Sequence, residues 1–169
     1  MKRSKVLLSI SLMLAAIFAI SACGSDSQYK DDVSIDALSN AIINAVPEEN
    51  GYTTMGNDYI SLEFSGATDI TENTSAYCVV ASTTSSNVNE FGVFHVNGDK
   101  TKVKDAVQSY VDQQTGKLRS MLEMYSADEL SKLDEAKVTV YGNYVIYTIF
   151  SKDQTDLALK AVSDLLTAE

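Results

Sequence analysis

The chain has 169 residues, with 13 Lys and Arg against 23 Asp and Glu, for a net charge of -10. An excess of carboxylates disfavours nucleic acid, whose phosphates are met by Lys and Arg. Two cysteines and one histidine exclude a disulfide framework, a four-thiolate zinc site and every motif that needs a histidine pair. Hydrophobic residues at 45% and charged residues at 21% describe a globular chain of one-domain length, not a disordered one.

The first 23 residues read as three zones. Met1 to Lys5 carries Lys2, Arg3 and Lys5, and residues 6–20 then run uncharged and apolar for 15 residues. A helix of that length rises about 22 Å, short of a hydrocarbon core about 30 Å thick. It has the length of a signal-peptide core, and its basic flank favours the cytoplasmic side, so the remainder is expected to be exported. Ile20-Ser21-Ala22-Cys23 closes the run and resembles the bacterial lipobox. That resemblance implies diacylglyceryl transfer to Cys23 and cleavage between Ala22 and Cys23. The product would be a chain held at the outer face of the cytoplasmic membrane, its lipid the one covalent group expected and no other cofactor implied. Removal of 22 residues leaves 147 of the 169, and without Lys2, Arg3 and Lys5 ten cations face 23 anions, a charge of -13. Such a body is repelled by anionic headgroups over a Debye length of about 8 Å. The expected division is a signal peptide over 1–22, a lipidated cysteine and flexible tether over 23–33, and one domain over 34–169.

Along the domain, Ile35, Leu38, Ile42 and Val46 mark one face of a helix over residues 33–46, with Ser34 or Asp32 as cap and Pro47 as its end. Residues 48–75 are hard to read: a turn at 48–51, then a half-buried strand or a single helical turn over 58–64, then a polar loop. Strands are expected over 76–82 and 91–96, joined by a loop over 83–90. The spacing of Val103, Val107, Tyr110, Val111, Leu118, Met121, Leu122 and Tyr125 predicts a long amphipathic helix over 100–125, with Asp99 as cap and Gly116 as a weak point. Ser126 to Glu129 has the capping-box pattern and predicts a second short helix.

Gly142-Asn143 separates two β-rich runs and suits a two-residue hairpin turn, which sets Tyr141 opposite Tyr144, Val140 opposite Val145 and Val138 opposite Tyr147. Ser151 to Gln154 is another capping box, opening a last helix with Leu157, Ala158, Ala161, Val162 and Leu165 inward. The order helix, strand pair, helix, strand pair, helix predicts an α+β domain: a four-stranded antiparallel sheet from two hairpins, with helices mainly on one face. On that layout Tyr141, Tyr144, Ile146 and Phe150 form an apolar patch that is either a surface for an envelope partner or the ground covered by the first helix or by residues 50–75.

Phe91-Gly92-Val93-Phe94, the long helix with Tyr125, Ala136, and Gly142-Asn143-Tyr144-Val145 together resemble DUF4358, a family of uncharacterised Firmicutes lipoproteins, over roughly residues 34–166. This chain departs from the family at Ser126-Ala127, where members often carry a proline. The resemblance implies a lipoprotein and carries no activity and no catalytic residue.

Chemistry-bearing constellations are sparse. Cys78 stands in a strand where a buried thiol is expected, and His95, alone of its kind, is expected to be a hydrogen-bonded strand-end residue. The carboxylate groups Asp31/Asp32/Asp36, Glu48/Glu49, Asp128/Glu129 and Asp134/Glu135 read as solvated helix ends, and no segment has a calcium-loop or other metal-ligand spacing. No P-loop, GxSxG, CxxC or HExxH occurs. No catalytic residue is assigned. The expected role is a non-catalytic binding or accessory domain at the cell envelope; the alternative is a small cell-wall or peptide hydrolase built on two converging carboxylates. The oligomeric state is not readable from the residues.

Overall fold

The computed structural model describes residues 28–56 and 58–167. In chain order these form α1 (Ile35–Ala45), β1 (Tyr52–Thr54), α2 (Tyr59–Glu63), α3 (Ala67–Asn73), β2 (Thr74–Ser82), β3 (Glu90–Val96) and α4 (Lys100–Tyr125). A 3-10 turn (Ala127–Glu129), α5 (Leu130–Asp134), β4 (Lys137–Tyr141), β5 (Tyr144–Ile149) and α6 (Lys152–Thr167) complete the chain. All strand pairings are antiparallel, in the order β1-β2-β3-β5-β4. The sheet therefore has five strands rather than the expected four. The extra one, Tyr52–Thr54, pairs with the end of β2 and comes from the stretch whose pattern was least readable. Of the two readings of residues 58–64 the single helical turn is the one that forms, as α2, and α3 stands where a polar loop was expected.

Helices cover both faces of the sheet, not mainly one. On one side α1 and α6 bring Leu38, Ile42, Ala158, Val162 and Leu166 onto Phe91, Val93 and Ile146. On the other, α2 to α5 bring Ile60, Ile70, Val103, Val107 and Leu133 onto Phe94, Val145 and Tyr147. The reason is visible in the two central strands. Every residue of β5 is buried, and so is every residue of β3 except His95. A strand that is apolar at both parities has two faces to cover.

Local signals act largely as their chemistry dictates. Ser34 accepts from the Ala37 amide at the start of α1, and Asp99 accepts from the Thr101 and Lys102 amides at the start of α4. Ser151 and Gln154 form a reciprocal box: each side chain accepts from the other's backbone N–H. The long helix runs unbroken through Gly116. The box expected at Ser126 does not form; Ser126 makes no side-chain cap. Its partner Glu129 instead accepts from the Val88 amide and from Lys132. The α6 helix is rotated from its expected facing. Thr155, Ala158, Leu159, Val162 and Leu166 are buried, while Leu157 is 52% exposed.

The β4–β5 hairpin has the register its Gly-Asn turn demands, with Gly142 at φ +54°. One face of the hairpin therefore looks to α4 and the other to α1 and α6. That division positions everything described next.

Candidate functional site

Ala22 and Cys23, the expected cleavage and lipidation residues, lie outside the described residues. The expected partner surface is corrected by the fold. Tyr144, Ile146 and Phe150 are fully buried and Tyr141 is half-buried, because α1 and α6 lie on that face. They are core residues. Cys78 is half-buried on β2, on the α1 side, and burial pushes its thiol up. It pairs with Val93, two pairs away from the Ala76–His95 pair, so thiol and imidazole are not brought together.

His95 anchors a surface cluster. Its Nε2 lies 3.0 Å from Asp31 Oδ1 and its Nδ1 lies 2.8 Å from Ser75 Oγ. A carboxylate accepts only, so Nε2 donates to Asp31, while the direction of the bond between Nδ1 and the Ser75 hydroxyl follows the protonation of the ring. The imidazole stacks on the Tyr144 ring, 4.7 Å between centroids and 14° from parallel. Ser75 stands in the irregularity between Thr74 and Ala76, where the pairing of β2 with β3 slips and frees its side chain. The hydrogen bond from His95, with its charge and that of Lys100, holds the Asp31 carboxyl below the usual range. The order serine, imidazole, carboxylate is that of a proton relay. Ser75 Oγ, however, also reaches the His95 carbonyl oxygen at 3.3 Å, and its hydroxyl is held by the strand it leaves.

This cluster also corrects the expected tether. Residues 29–33 are fixed along one end of the sheet. The Tyr29 ring meets the edge of Tyr141 at 5.4 Å, the Lys30 N–H donates to the Leu166 carbonyl at 2.9 Å, and Tyr144 Oη donates to the Val33 carbonyl at 2.7 Å. With Asp31 on His95, nearly every residue of this strap has a partner, drawn from β3, the β4–β5 turn and α6.

A second cluster is buried, and it is built on a residue expected at the end of a loop. Glu90, the first residue of β3, is 6% exposed, and both Tyr110 and Tyr147 donate to its Oε1 at 2.6 Å. Tyr59 Oη lies 2.8 Å from Tyr110 Oη. Because Tyr110 donates to the carboxyl, it accepts from Tyr59. Burial pushes the Glu90 carboxyl up, against the lowering effect of the two phenols and Gln114. Burial and the Glu90 charge push Tyr59 up to about 12 and carry Tyr110 and Tyr147 further in the same direction. Gly92 makes this possible, since a methyl at that position would overlap the Tyr147 ring. The arrangement is a hydrogen-bonded file leading from half-buried Tyr59 to a buried carboxyl. It can hold or pass a proton. Tyr59 also lines a small cleft of about 60 Å³ with Met55, Ile60, Tyr77 and Val79, and no carboxylate lines that cleft.

Two carboxylates expected as solvated helix ends are instead fastened to the 83–89 loop at the opposite end of the sheet. Glu48 accepts from the side-chain amides of Asn87 and Asn89 and from Tyr52 Oη, while Glu129 holds the Val88 amide and Lys132. Neither pair of side chains announces this in sequence, since the partners are about 40 residues apart. Glu90 had a weaker trace: Glu90, Gly92, Phe94 and Val96 share a parity in β3, so a carboxylate stands in an inward-facing row.

Among the described residues no group of three or more His, Cys, Asp or Glu side chains is placed to hold a metal ion. None of their helices is long and apolar enough to cross a membrane.

Residues 69–150 match a family model, the Domain of unknown function DUF4358. The match runs from within α3 through β5 to Phe150. It takes in four of the five strands and the long helix, and leaves out α1, α6 and the strap, where the resemblance read from the sequence reached from 34 to 166. Comparison with curated proteins and with solved structures finds no match.

Proposed function

We propose, on the premise of a DUF4358-like body over residues 69–150, that this chain is a lipid-anchored extracytoplasmic protein. Its domain would serve as a non-catalytic binding or accessory module at the outer face of the cytoplasmic membrane. The observation that carries this reading is the order of the first 23 residues. A basic run, 15 uncharged residues that are all apolar except Ser9 and Ser11, and then Ser21-Ala22-Cys23 follow one another without interruption. Two acyl chains on one residue anchor a protein stably where a single chain does not, at about 0.8 kcal/mol per buried CH₂. The accessory role draws support from the chemistry on hand: the buried Glu90 carboxyl is sealed under tyrosines, and Cys78 and His95 make no contact with each other.

The test is the mass and partition of the chain expressed with its own leader in a bacterium. The expected product begins at Cys23, carries a diacylglyceryl group and sediments with membranes. Cys23→Ala should abolish both the added mass and the sedimentation. A wild-type product that begins at Met1, or that is released with a free Cys23 thiol, would overturn the reading.

A further inference from the structure

The strap sets which end of the domain faces the lipid. Counting from Tyr29, the first residue with a side-chain contact in the strap, six residue steps lead back to Cys23, a reach of at most about 20 Å at full extension. Tyr29, Lys30, Asp31 and Val33 all dock at one end of the sheet. That end is made of the β4–β5 turn, the end of β3 at His95, the C-terminal turn of α6 and, next along the chain, the Asn97–Gly98 turn that leads into α4. The opposite end, with the 83–89 loop, lies the length of β3 away, about 23 Å for its seven residues.

We propose that the β4–β5 turn and residues 97–98 form the bilayer-facing end of the domain, and that the 83–89 loop is displayed away from the membrane. This rests on the lipid-anchor reading above and adds an orientation to it. Three observations support it. The reach of the six steps from Tyr29 to Cys23 is shorter than the domain is long: α4 alone spans about 39 Å for its 26 residues. The strap is fastened by contacts of four kinds on β3, the hairpin and α6, so the anchor point does not roam over the surface. The charge of -13 that follows from the sequence after Cys23 disfavours laying the body flat on anionic lipid. Near the strap, Lys30, Lys100, Lys102 and Lys104 stand among Asp31, Asp69 and Asp99, so this end carries both signs rather than an unbroken acidic surface. The displayed loop, held by Glu48 and Glu129 from two sides, is then a preorganised surface turned toward the envelope.

The chain contains no tryptophan, which allows a direct measurement. Asn97→Trp and Ser86→Trp, both at exposed positions, place a single donor at either end. Each full-length variant is purified from bacterial membranes and reconstituted in phosphatidylcholine–phosphatidylglycerol vesicles doped with dansyl-headgroup lipid. The mass of Cys23 is measured on the same sample. The expected result is a lipidated cysteine and energy transfer at least about threefold stronger from position 97 than from position 86, given the length of β3 between them. Adding Tyr29→Ala and Asp31→Ala together should bring the ratio toward one while the domain keeps its circular dichroism and its melting transition. A lipidated protein with equal transfer from the two positions, or stronger transfer from 86, overturns the orientation and leaves the anchor standing. A ratio unchanged by the strap substitutions overturns the strap as its cause. An unlipidated Cys23 overturns the anchor reading and the orientation with it.

Discussion

The two faces of this sheet share the same strands and are stabilised differently. Glu90 and Phe91 are neighbours, yet Phe91 enters an interior of Leu38, Ile42, Val162 and Phe150, while Glu90 enters one of Tyr59, Tyr110 and Tyr147. On the α1–α6 side, the buried polar groups are hydroxyls with hydrogen-bond partners, such as Tyr144 on the Val33 carbonyl and Thr148 on Thr155. The interior of that face draws its stability from area removed from water and holds no buried carboxyl among the described residues. On the α4 side a carboxyl is buried with three phenols on its file and no cation. That face is stable as long as the carboxyl keeps its proton or the phenols compensate its charge.

The largest effect tests the apolar face. Phe150→Ala removes a fully buried ring from between the sheet, α1 and α6, and is expected to cost about 3–5 kcal/mol in urea unfolding, equally at pH 5 and pH 8. A cost that varies with pH would mean the two faces are not separable in this way.

Next in size is Glu90→Ala, which leaves the Tyr110 and Tyr147 hydroxyls without their acceptor and is expected to cost about 2–4 kcal/mol. Its isostere sharpens the comparison. The Glu90 carboxyl has a folded pKa raised above its ordinary 4.5. Between the two values the folded state holds a proton that the unfolded state has lost, so stability falls as pH rises. The contribution is fully present below about 4.5 and is lost as pH climbs through the raised value. Glu90→Gln keeps an acceptor for the phenols and cannot ionise. The difference in unfolding free energy, variant minus wild type, should therefore grow from pH 4 to pH 8, favouring the variant. A difference that is flat across this range would show that Glu90 is not the titrating group on this face.

How far the sequence disclosed these faces follows from the distance over which each signal acts. Caps at Ser34, Asp99 and Ser151, the Gly142-Asn143 turn and the register it imposes are decided within a few residues, and all of them form. Which helices cover a strand is decided by packing far along the chain. The apolar run of β5 at both parities carries part of that information: its second face reads either as a partner surface or as ground for the first helix, and packing by α1 and α6 decides between them. The short β1 and the helices α2 and α3 carry too few periodic positions to be told from loop. Glu48, Glu129 and Asp31 each find partners about 40 or more residues away, and composition alone makes such carboxylates look solvated. Glu90 ends the Ser/Thr/Asn-rich run 83–90 and reads with it as loop; a buried carboxyl is rare unless it is paired, and its pairing comes from α4 and β5.

The smallest expected effect separates the strap from both faces. Asp31 is exposed, and its pair with His95 is the kind that contributes at most about 1 kcal/mol after screening. Its lowered folded pKa means that the contribution is present above the unfolded value near 3.8 and is lost as pH falls through the lower folded value. Asp31→Ala should therefore leave the urea midpoint nearly unchanged at pH 7. What it should change is local. The strap then retains the Tyr29–Tyr141 contact and two hydrogen bonds, and opens more often without the domain unfolding. Hydrogen exchange at the Lys30 amide, which donates to the Leu166 carbonyl, should accelerate several-fold, while exchange in β5 stays as it was. Equal acceleration in β5 would mean that the strap belongs to the cooperative fold rather than lying against it.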